Sequence, residues 1–112
     1  MSDKATDFAI PEGLSAKGRE AAEAIIKFLE ANGADDAGGC KVFYTPKEWA
    51  DRDEEYGLKS ELVVVHDGGD HAGAFNYSYE QYDLIDGLLE TLEPLGLYAE
   101  QCTCWYSAIY CR

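Results

Sequence analysis

Cationic residues are scarce in this chain of 112 residues: only 9 are Lys or Arg, against 22 Asp or Glu, and the formal net charge is −13. A nucleic-acid-binding domain needs a basic footprint, so direct binding to nucleic acid is disfavoured. Anionic membrane surfaces are disfavoured for the same reason. The charge instead favours a basic protein partner, including proteins whose Lys/Arg-lined channels handle DNA or RNA. Plain solubility or adaptation to salt would explain the same charge.

Long apolar runs are also missing. No run approaches the ~20 residues that span a bilayer, and no charged–apolar–small signal peptide opens the chain. We therefore expect a soluble protein of the cytoplasm. With 46% hydrophobic and 12% aromatic residues, the chain still has the material for a core, which excludes wholesale disorder. We expect a flexible lead-in over residues 1–14 and a single domain over residues 15–112.

The sequence motifs of common enzyme classes are absent. The chain has no Gly-x-Ser-x-Gly elbow, no Walker phosphate loop and no Gly-x-Gly-x-x-Gly fingerprint. We therefore expect no catalytic residue and no cofactor. A nucleophilic Cys–His pair formed by residues distant in the sequence stays open.

The four cysteines, Cys40, Cys102, Cys104 and Cys111, include no Cys-x2-Cys pair of the kind used in zinc ribbons. Without an export signal, reduced thiols are the expectation. Cys102 and Cys104 would share one face of a strand, ~7 Å apart, where a histidine could join them around a metal. Buried structural thiols are the favoured interpretation.

Periodicity predicts an α+β fold. Helices are expected over residues 15–32, 46–55 and 78–92, and strands over residues 40–45, 61–66, 72–77 and 97–110. The last segment is expected as one long strand or as two strands joined at a bend. Leu62–Val65 lacks polar alternation, which is typical of a central strand buried on both faces. We predict a two-layer sandwich, with a mixed sheet of about four strands and two main helices on one face.

The motif His66-Asp67-Gly68-Gly69-Asp70-His71 reads the same in both directions. A two-residue hairpin loop at the glycines would place His66 opposite His71 and Asp67 opposite Asp70. The histidines could then hold a metal, and the carboxylates could act as an acid–base pair. Hairpin chemistry alone explains the central residues, and we favour that interpretation.

Aromatic residues are concentrated after residue 40, and 8 of them are tyrosines. Tyr and Trp are favoured at protein interfaces, although ordinary sheet packing explains the same enrichment. The candidate contact residues for a basic partner are acidic or aromatic: Asp51, Asp53, Glu54, Glu55, Asp67, Asp70, Tyr77 and Tyr79.

Three stretches carry a resemblance to a known group of proteins: Gly38–Trp49, Glu61–Asp70 and Gln101–Tyr106. Together they resemble small acidic proteins encoded by actinobacterial phages, over roughly residues 15–110. The resemblance brings no catalytic residue. It implies a host-interacting accessory of the kind that inhibits CRISPR, restriction or DNA-repair enzymes by occupying their basic nucleic-acid sites.

Three functions follow as hypotheses. The first is a non-enzymatic protein-binding module, an inhibitor of phage type that docks on a basic nucleic-acid-handling host protein. The alternative is a small metal-binding or hydrolytic protein that uses His66, His71, Cys102 and Cys104. The third is a structural or assembly protein that associates with itself.

Overall fold

The computed structural model describes residues 8–36 and 41–112. The α-helices in these ranges are α1 (Ala16–Ala31), α2 (Pro46–Asp51) and α3 (Tyr82–Leu92). The strands are β1 (Phe43–Tyr44), β2 (Leu62–Val65), β3 (Leu97–Gln101) and β4 (Tyr106–Cys111). Short 3-10 helices cover Asp70–Ala74, Tyr77–Tyr79 and Glu93–Leu95. Within the two ranges, no helix combines the length and the apolar composition that crossing a bilayer demands.

The strands form one sheet in the order β1–β2–β4–β3, and every neighbouring pair is antiparallel. The α+β fold class is confirmed, whereas the expectation of a mixed sheet is wrong. The chain does cross over from β2 through α3 and returns in β3 in the same direction as β2. However, β4 then turns back and inserts between these two strands, so it pairs antiparallel with both.

The first face of the sheet carries the two main helices, as expected. Leu62 and Val64 of β2 and Ile109 of β4 belong to one apolar core with both helices. The helical side chains buried in this core are Ala21, Ala22, Ile25 and Leu29 of α1 and Leu88 and Leu92 of α3. Burial of this apolar area against the sheet is the main force that holds the layers together.

The second face of the sheet is covered only in part. Val63 and Val65 of β2 pack with Trp49, the buried residue of α2, and with Tyr106 of β4. All four residues of β2 are therefore buried, which confirms the central strand predicted from its unbroken apolar run. The helix α2 has six residues, so it forms a partial third layer over this face.

Two glycines allow the helices to approach their neighbours closely. A Cβ atom on Gly18 of α1 would collide with the backbone oxygen of Glu61, where the chain enters β2. A Cβ atom on Gly87 of α3 would come within 2.8 Å of the Phe28 ring of α1. Because neither position carries a side chain, α1 can pack closely against the start of β2 and against α3.

The segment after β2 differs from the predicted hairpin. Gly68 and Gly69 adopt positive φ angles of 110° and 82°, and the chain then enters the 3-10 helix Asp70–Ala74. No return strand forms there, so the prediction of a strand over residues 72–77 is wrong. The backbone N–H of Asp70 donates to the carbonyl of Asp36, which ties this turn to the connection after α1 and not to a neighbouring strand.

Two helix boundaries also differ from the sequence prediction. The helix predicted from residue 78 begins at Tyr82, because Tyr77–Tyr79 forms a separate 3-10 turn and Glu80 takes a left-handed conformation at φ 58°. The helix predicted over residues 46–55 ends at Asp51, and Asp53 is left-handed at φ 60°. In both cases a left-handed residue separates the helix from its neighbouring turn.

The packed part of the chain begins before residue 15. Phe8 is buried in the main core, and its ring lies edge-on to Phe43 at 5.9 Å and to His71 at 5.6 Å. Ile10 and Leu14 pack against the same core. The remainder of the expected lead-in, residues 1–7, and Cys40 lie outside the described residues.

Candidate protein-binding surface

A polar network fixes the segment that enters α3. The buried Asn76 side chain donates to the carbonyl of Cys104 at 3.1 Å and accepts from the backbone N–H of Ser78 at 2.9 Å. The amide of Gln101 in β3 donates to Asn76 Oδ1 at 3.2 Å and accepts from the backbone N–H of Tyr77 at 3.1 Å. These bonds fix residues 76–78, at the start of the segment, against the end of β3 and the β3–β4 connection.

Residues 77–82, which we call the tyrosine segment, present three tyrosines to solvent. Tyr77 is 50% exposed, Tyr79 is 47% exposed and Tyr82 is 54% exposed. Large aromatic side chains that remain exposed on an anchored backbone can bury much area on a partner at a low cost in entropy. The structure therefore leaves the two predicted contact tyrosines, Tyr77 and Tyr79, available and adds Tyr82 beside them.

Four exposed carboxylates continue from the tyrosine segment along one side of α3 and its last turn. We call Asp83, Asp86, Glu90 and Glu93 the acidic row; they are separated by three, four and three positions, which is one face of a helix. None of these carboxylates forms an ion pair within the described residues. Like charges at this spacing repel one another and destabilise the helix.

The part of the sequence that surrounds the acidic row supplies no cation to it. From α1, the Lys17 ammonium reaches the last turn of this region, where it donates to the Leu95 carbonyl at 2.7 Å. Residues 60–111 contain nine Asp or Glu and no Lys or Arg. With Arg112, residues 60–112 carry a charge of −8, while 13 acidic and 8 basic residues give residues 1–59 a charge of −5. Sequence reasoning used only the net charge, although this asymmetry and the spacing of the row are both visible in the sequence.

The predicted acidic cluster after α2 is partly neutralised by its own neighbours. Asp51 pairs with Lys47 at 3.0 Å, and Glu54 pairs with Arg52 at 3.6 Å. Asp53 and Glu55 are exposed and form no ion pair within the described residues. Because α2 packs on the second face of the sheet, this cluster and α3 lie on opposite faces.

The other predicted acidic contacts, Asp67 and Asp70, are both exposed beside the two glycines that follow β2. They do not face each other across a hairpin, because the second of them opens a 3-10 helix. The hairpin that would have placed Asp67 and Asp70 opposite each other as an acid–base pair therefore does not form.

The two histidines are buried on either side of the Phe75 ring. His66 stacks on this ring with centroids 5.7 Å apart, and His71 lies edge-on to it at 6.4 Å. His66 Nε2 lies 2.9 Å from Ser107 Oγ, and His71 Nε2 lies 2.8 Å from the Val65 carbonyl oxygen. Burial is the largest cause that lowers the pKa of His66 to about 4.

The pair formed by Ser107 and His66 resembles a nucleophile with its base, but its setting is structural. Ser107 is fully buried and His66 is 1% exposed, so no substrate reaches the hydroxyl without opening the core. A nucleophile must meet its substrate within bonding distance. We therefore interpret the hydrogen bond as one that satisfies two buried polar groups.

The predicted alternative metal ligands are not brought together. Within the described residues, no group of three His, Cys, Asp or Glu side chains is arranged to hold a metal ion. Cys102 is half-buried, whereas Cys104 and Cys111 are exposed. Burial, followed by the negative charge of Glu100, raises the pKa of Cys102 to about 11, which keeps it a protonated thiol.

Comparison of the chain with protein families, with curated proteins and with solved structures found no match.

Proposed function

We propose that this protein is a non-enzymatic binding module that docks its acidic row and tyrosine segment on a basic surface of a nucleic-acid-handling protein. The observation that carries the proposal is the set of four carboxylates along one face of α3 and its last turn, which form no ion pair with any described residue and lie next to three half-exposed tyrosines. Complementary charge accelerates the encounter and sets its specificity, while buried aromatic anchors slow dissociation.

The spacing of the acidic row supports competition with nucleic acid. From Asp83 to Glu93 the chain advances ten positions, which correspond to ~15 Å at a rise of ~1.5 Å per residue. The row therefore offers one negative charge per ~5 Å, the same order as the one phosphate per ~3.4 Å of a nucleic-acid strand. A basic groove that binds a phosphate backbone could therefore bind the acidic row, because the two present negative charges at a similar spacing.

The biological role that we propose is inhibition. The resemblance to small acidic phage proteins supports an accessory that blocks a host defence or repair enzyme, of the anti-CRISPR, anti-restriction or repair-enzyme-inhibitor type. It would act in the host cytoplasm. Its partner would be a basic protein, not nucleic acid or a membrane.

Capture of the partner by matched variants tests the proposal. The row variant carries Asp83→Asn, Asp86→Asn, Glu90→Gln and Glu93→Gln. The control variant carries Glu12→Gln, Glu20→Gln, Glu23→Gln and Glu30→Gln, of which the last three lie on α1. Both sets change the net charge from −13 to −9. Wild-type and control proteins should retain the same basic protein from a lysate at low salt, and the row variant should lose it.

A competition assay then tests the inhibitory role. The captured protein is mixed with labelled nucleic acid, and the wild-type module should displace the label. A partner that binds the nucleic acid and this module at the same time would contradict the proposal, as would equal retention by the row and control variants.

A further inference from the structure

The strand β3 forms an open edge of the sheet, since among residues 8–36 and 41–112 it pairs only with β4. Two hydrogen bonds fix which groups point outward: Cys102 N–H donates to the Tyr106 carbonyl, and Arg112 N–H donates to the Gly96 carbonyl. In an antiparallel ladder, bonded and non-bonded pairs alternate. The backbone N–H and C=O groups of Ala99, midway between these bonded positions, therefore point away from β4.

Over most of the length of β3, its outward backbone groups form no hydrogen bond with the part of the chain that the structure describes. By the same alternation, the backbone groups of Leu97 and Gln101 also point away from β4. The Leu97 carbonyl accepts from Arg112 Nε at 3.3 Å, whereas those of Ala99 and Gln101 form no hydrogen bond within the described residues. Such an edge is a template for an additional strand.

Carboxylates flank this edge on the first face of the sheet. The helix α1 packs on β2 and β4, and α3 packs on β3 with Gly87 against Phe28 of α1. At ~100° per residue, Asp86 and Glu93 lie roughly 100–120° around α3 from Gly87, on the side away from α1. The sheet ends on that side, so the helix geometry places the two exposed carboxylates on the flank of α3 nearest the open edge of β3.

The second face beside the edge offers an aromatic groove. Tyr98 and Tyr110 stack there with ring centroids 5.7 Å apart. A cavity of about 680 Å³ lies between residues 55–59 and the β3–β4 hairpin, and its lining includes two carboxylates, Glu55 and Glu100, one cation, Lys59, and the rings of Tyr56 and Tyr110. Alternate side chains of a strand added to β3 would therefore meet the α3 carboxylates on one face and aromatic rings with Glu100 on the other.

We propose that an extended, Lys- or Arg-bearing segment of a partner protein adds to β3 as a fifth strand of the sheet. The proposal rests on the proposed function for the positive charge of the partner, and it adds how the partner binds. A second copy of the chain fits this edge poorly, because each copy carries a charge of −13. Main-chain hydrogen bonds to Ala99 and Gln101 would give affinity, and the flanking carboxylates would select basic side chains.

A short blocked peptide of alternating lysine and threonine is the probe. Titrated into the isotope-labelled protein, it should slow amide hydrogen exchange of Ala99 and Gln101 by about tenfold or more, since both N–H groups gain a hydrogen-bond partner. Two control peptides carry a methyl group on every second backbone nitrogen, one on the odd positions and the other on the even positions. Each keeps the charge of the parent peptide but lacks the N–H donors along one side of the strand. The control peptide that is methylated along the bonding side should bind about tenfold more weakly.

Substitution of Ala99 tests the same edge from the protein side. Ala99→Pro removes an outward N–H and leaves the hydrogen bonds from Tyr98 and Glu100 to β4 in place. An edge strand tolerates proline at such a position, because the lost N–H does not pair with the neighbouring strand. This variant should no longer bind the peptide, whereas Ala99→Ser, which keeps the N–H, should bind as the wild type does. If Ala99→Pro fails to fold, the methylated peptides still decide the question.

Three results would overturn strand addition by a partner: equal binding of methylated and unmethylated peptides, no slowing of exchange at Ala99 and Gln101, or a dimer in light scattering that Ala99→Pro converts to a monomer. Each of these leaves the proposed function intact if the row variant still loses the captured protein. The converse result is also informative. If the peptide slows exchange at β3 but the row variant still captures the partner, strand addition is supported and docking through the acidic row is refuted.

Discussion

His66 is held in its uncharged form by its surroundings. Burial is the main cause that lowers its pKa from 6.5 to about 4; the neighbouring His71 acts in the same direction, and Asp67 opposes them. In the unfolded chain the ring regains its ordinary pKa, so between pH 6.5 and pH 4 the unfolded state binds more protons than the folded state. The free energy of unfolding should therefore fall as the pH drops through this range.

Substitution of His66 by Gln should remove this dependence, because glutamine does not titrate and its amide can still bond to the Ser107 hydroxyl. From pH 7 to pH 5, the wild type should lose about 2 kcal/mol more of its free energy of unfolding than His66→Gln does. Denaturant unfolding at both values measures the difference. The carboxylates titrate equally in the two proteins, so they do not contribute to this difference. If both proteins lost the same free energy of unfolding between pH 7 and pH 5, the fold would not keep His66 neutral.

The thiols differ in reactivity for the same physical reason. A pKa of about 11 in place of 9.0 lowers the thiolate fraction of Cys102 at pH 8 by about a hundredfold. Iodoacetamide under native conditions should therefore modify the exposed Cys104 and Cys111 well before Cys102, as peptide mapping by mass spectrometry would show. Early modification of Cys102 would contradict its half-buried, negatively charged setting.

At the scale of elements, α3 shows a conflict between stability and charge. Asp86, Glu90 and Glu93 repel one another along the helix, and two of them lie near the C-terminal end, where the helix dipole disfavours negative charge. A helix selected for stability alone would place lysine among them. We interpret the persistent negative charge as a feature that serves binding.

Replacement of Glu90 by Lys should therefore stabilise the protein. The new ammonium follows Asp86 by four positions, the favourable order, and complements the helix dipole. We expect a gain of about 1 kcal/mol, or a rise of roughly 4 °C in Tm. The same change at Glu23 of α1, between Arg19 and Lys27, should lower the Tm instead. Equal effects at the two sites would show that the acidic row carries no strain.

The elements that the sequence predicted are those with a strong apolar period. The helix α1 and the buried strand β2 follow directly from such patterns, and β3 and β4 form the two strands joined at a bend that residues 97–110 allowed. The 3-10 turns at Asp70–Ala74 and Tyr77–Tyr79 carry no period. Their geometry depends on hydrogen bonds to residues far along the chain, such as Asn76 to the Cys104 carbonyl, which local reasoning cannot supply.

The candidate surface was predictable to a similar extent. Tyr77 and Tyr79 were expected from composition and are exposed as a binding role requires. The cluster around Asp51 looked equally acidic in the sequence, yet Lys47 four positions earlier on α2 already pairs with it. The spacing of acidic residues together with the absence of nearby cations is the better sequence signal, and it points to the acidic row.

At the scale of the whole molecule, charge is distributed unevenly between the two halves of the chain. The ion pairs Lys17–Glu20, Lys41–Glu48, Lys47–Asp51 and Arg52–Glu54 all fall in the first half of the described chain. The second half contributes α3, the open edge of β3 and a charge of −8 over residues 60–112. A basic partner would therefore be drawn towards the elements that this part of the chain supplies.

The association rate of the captured partner, measured against ionic strength, tests this account most directly. At low salt the row variant should associate about tenfold more slowly than the control variant of equal net charge, and its rate should depend less on salt. The wild type should be fastest and fall most steeply as salt is added. Equal association rates for the row and control variants at every ionic strength would show that only the overall charge matters and would contradict docking through the acidic row.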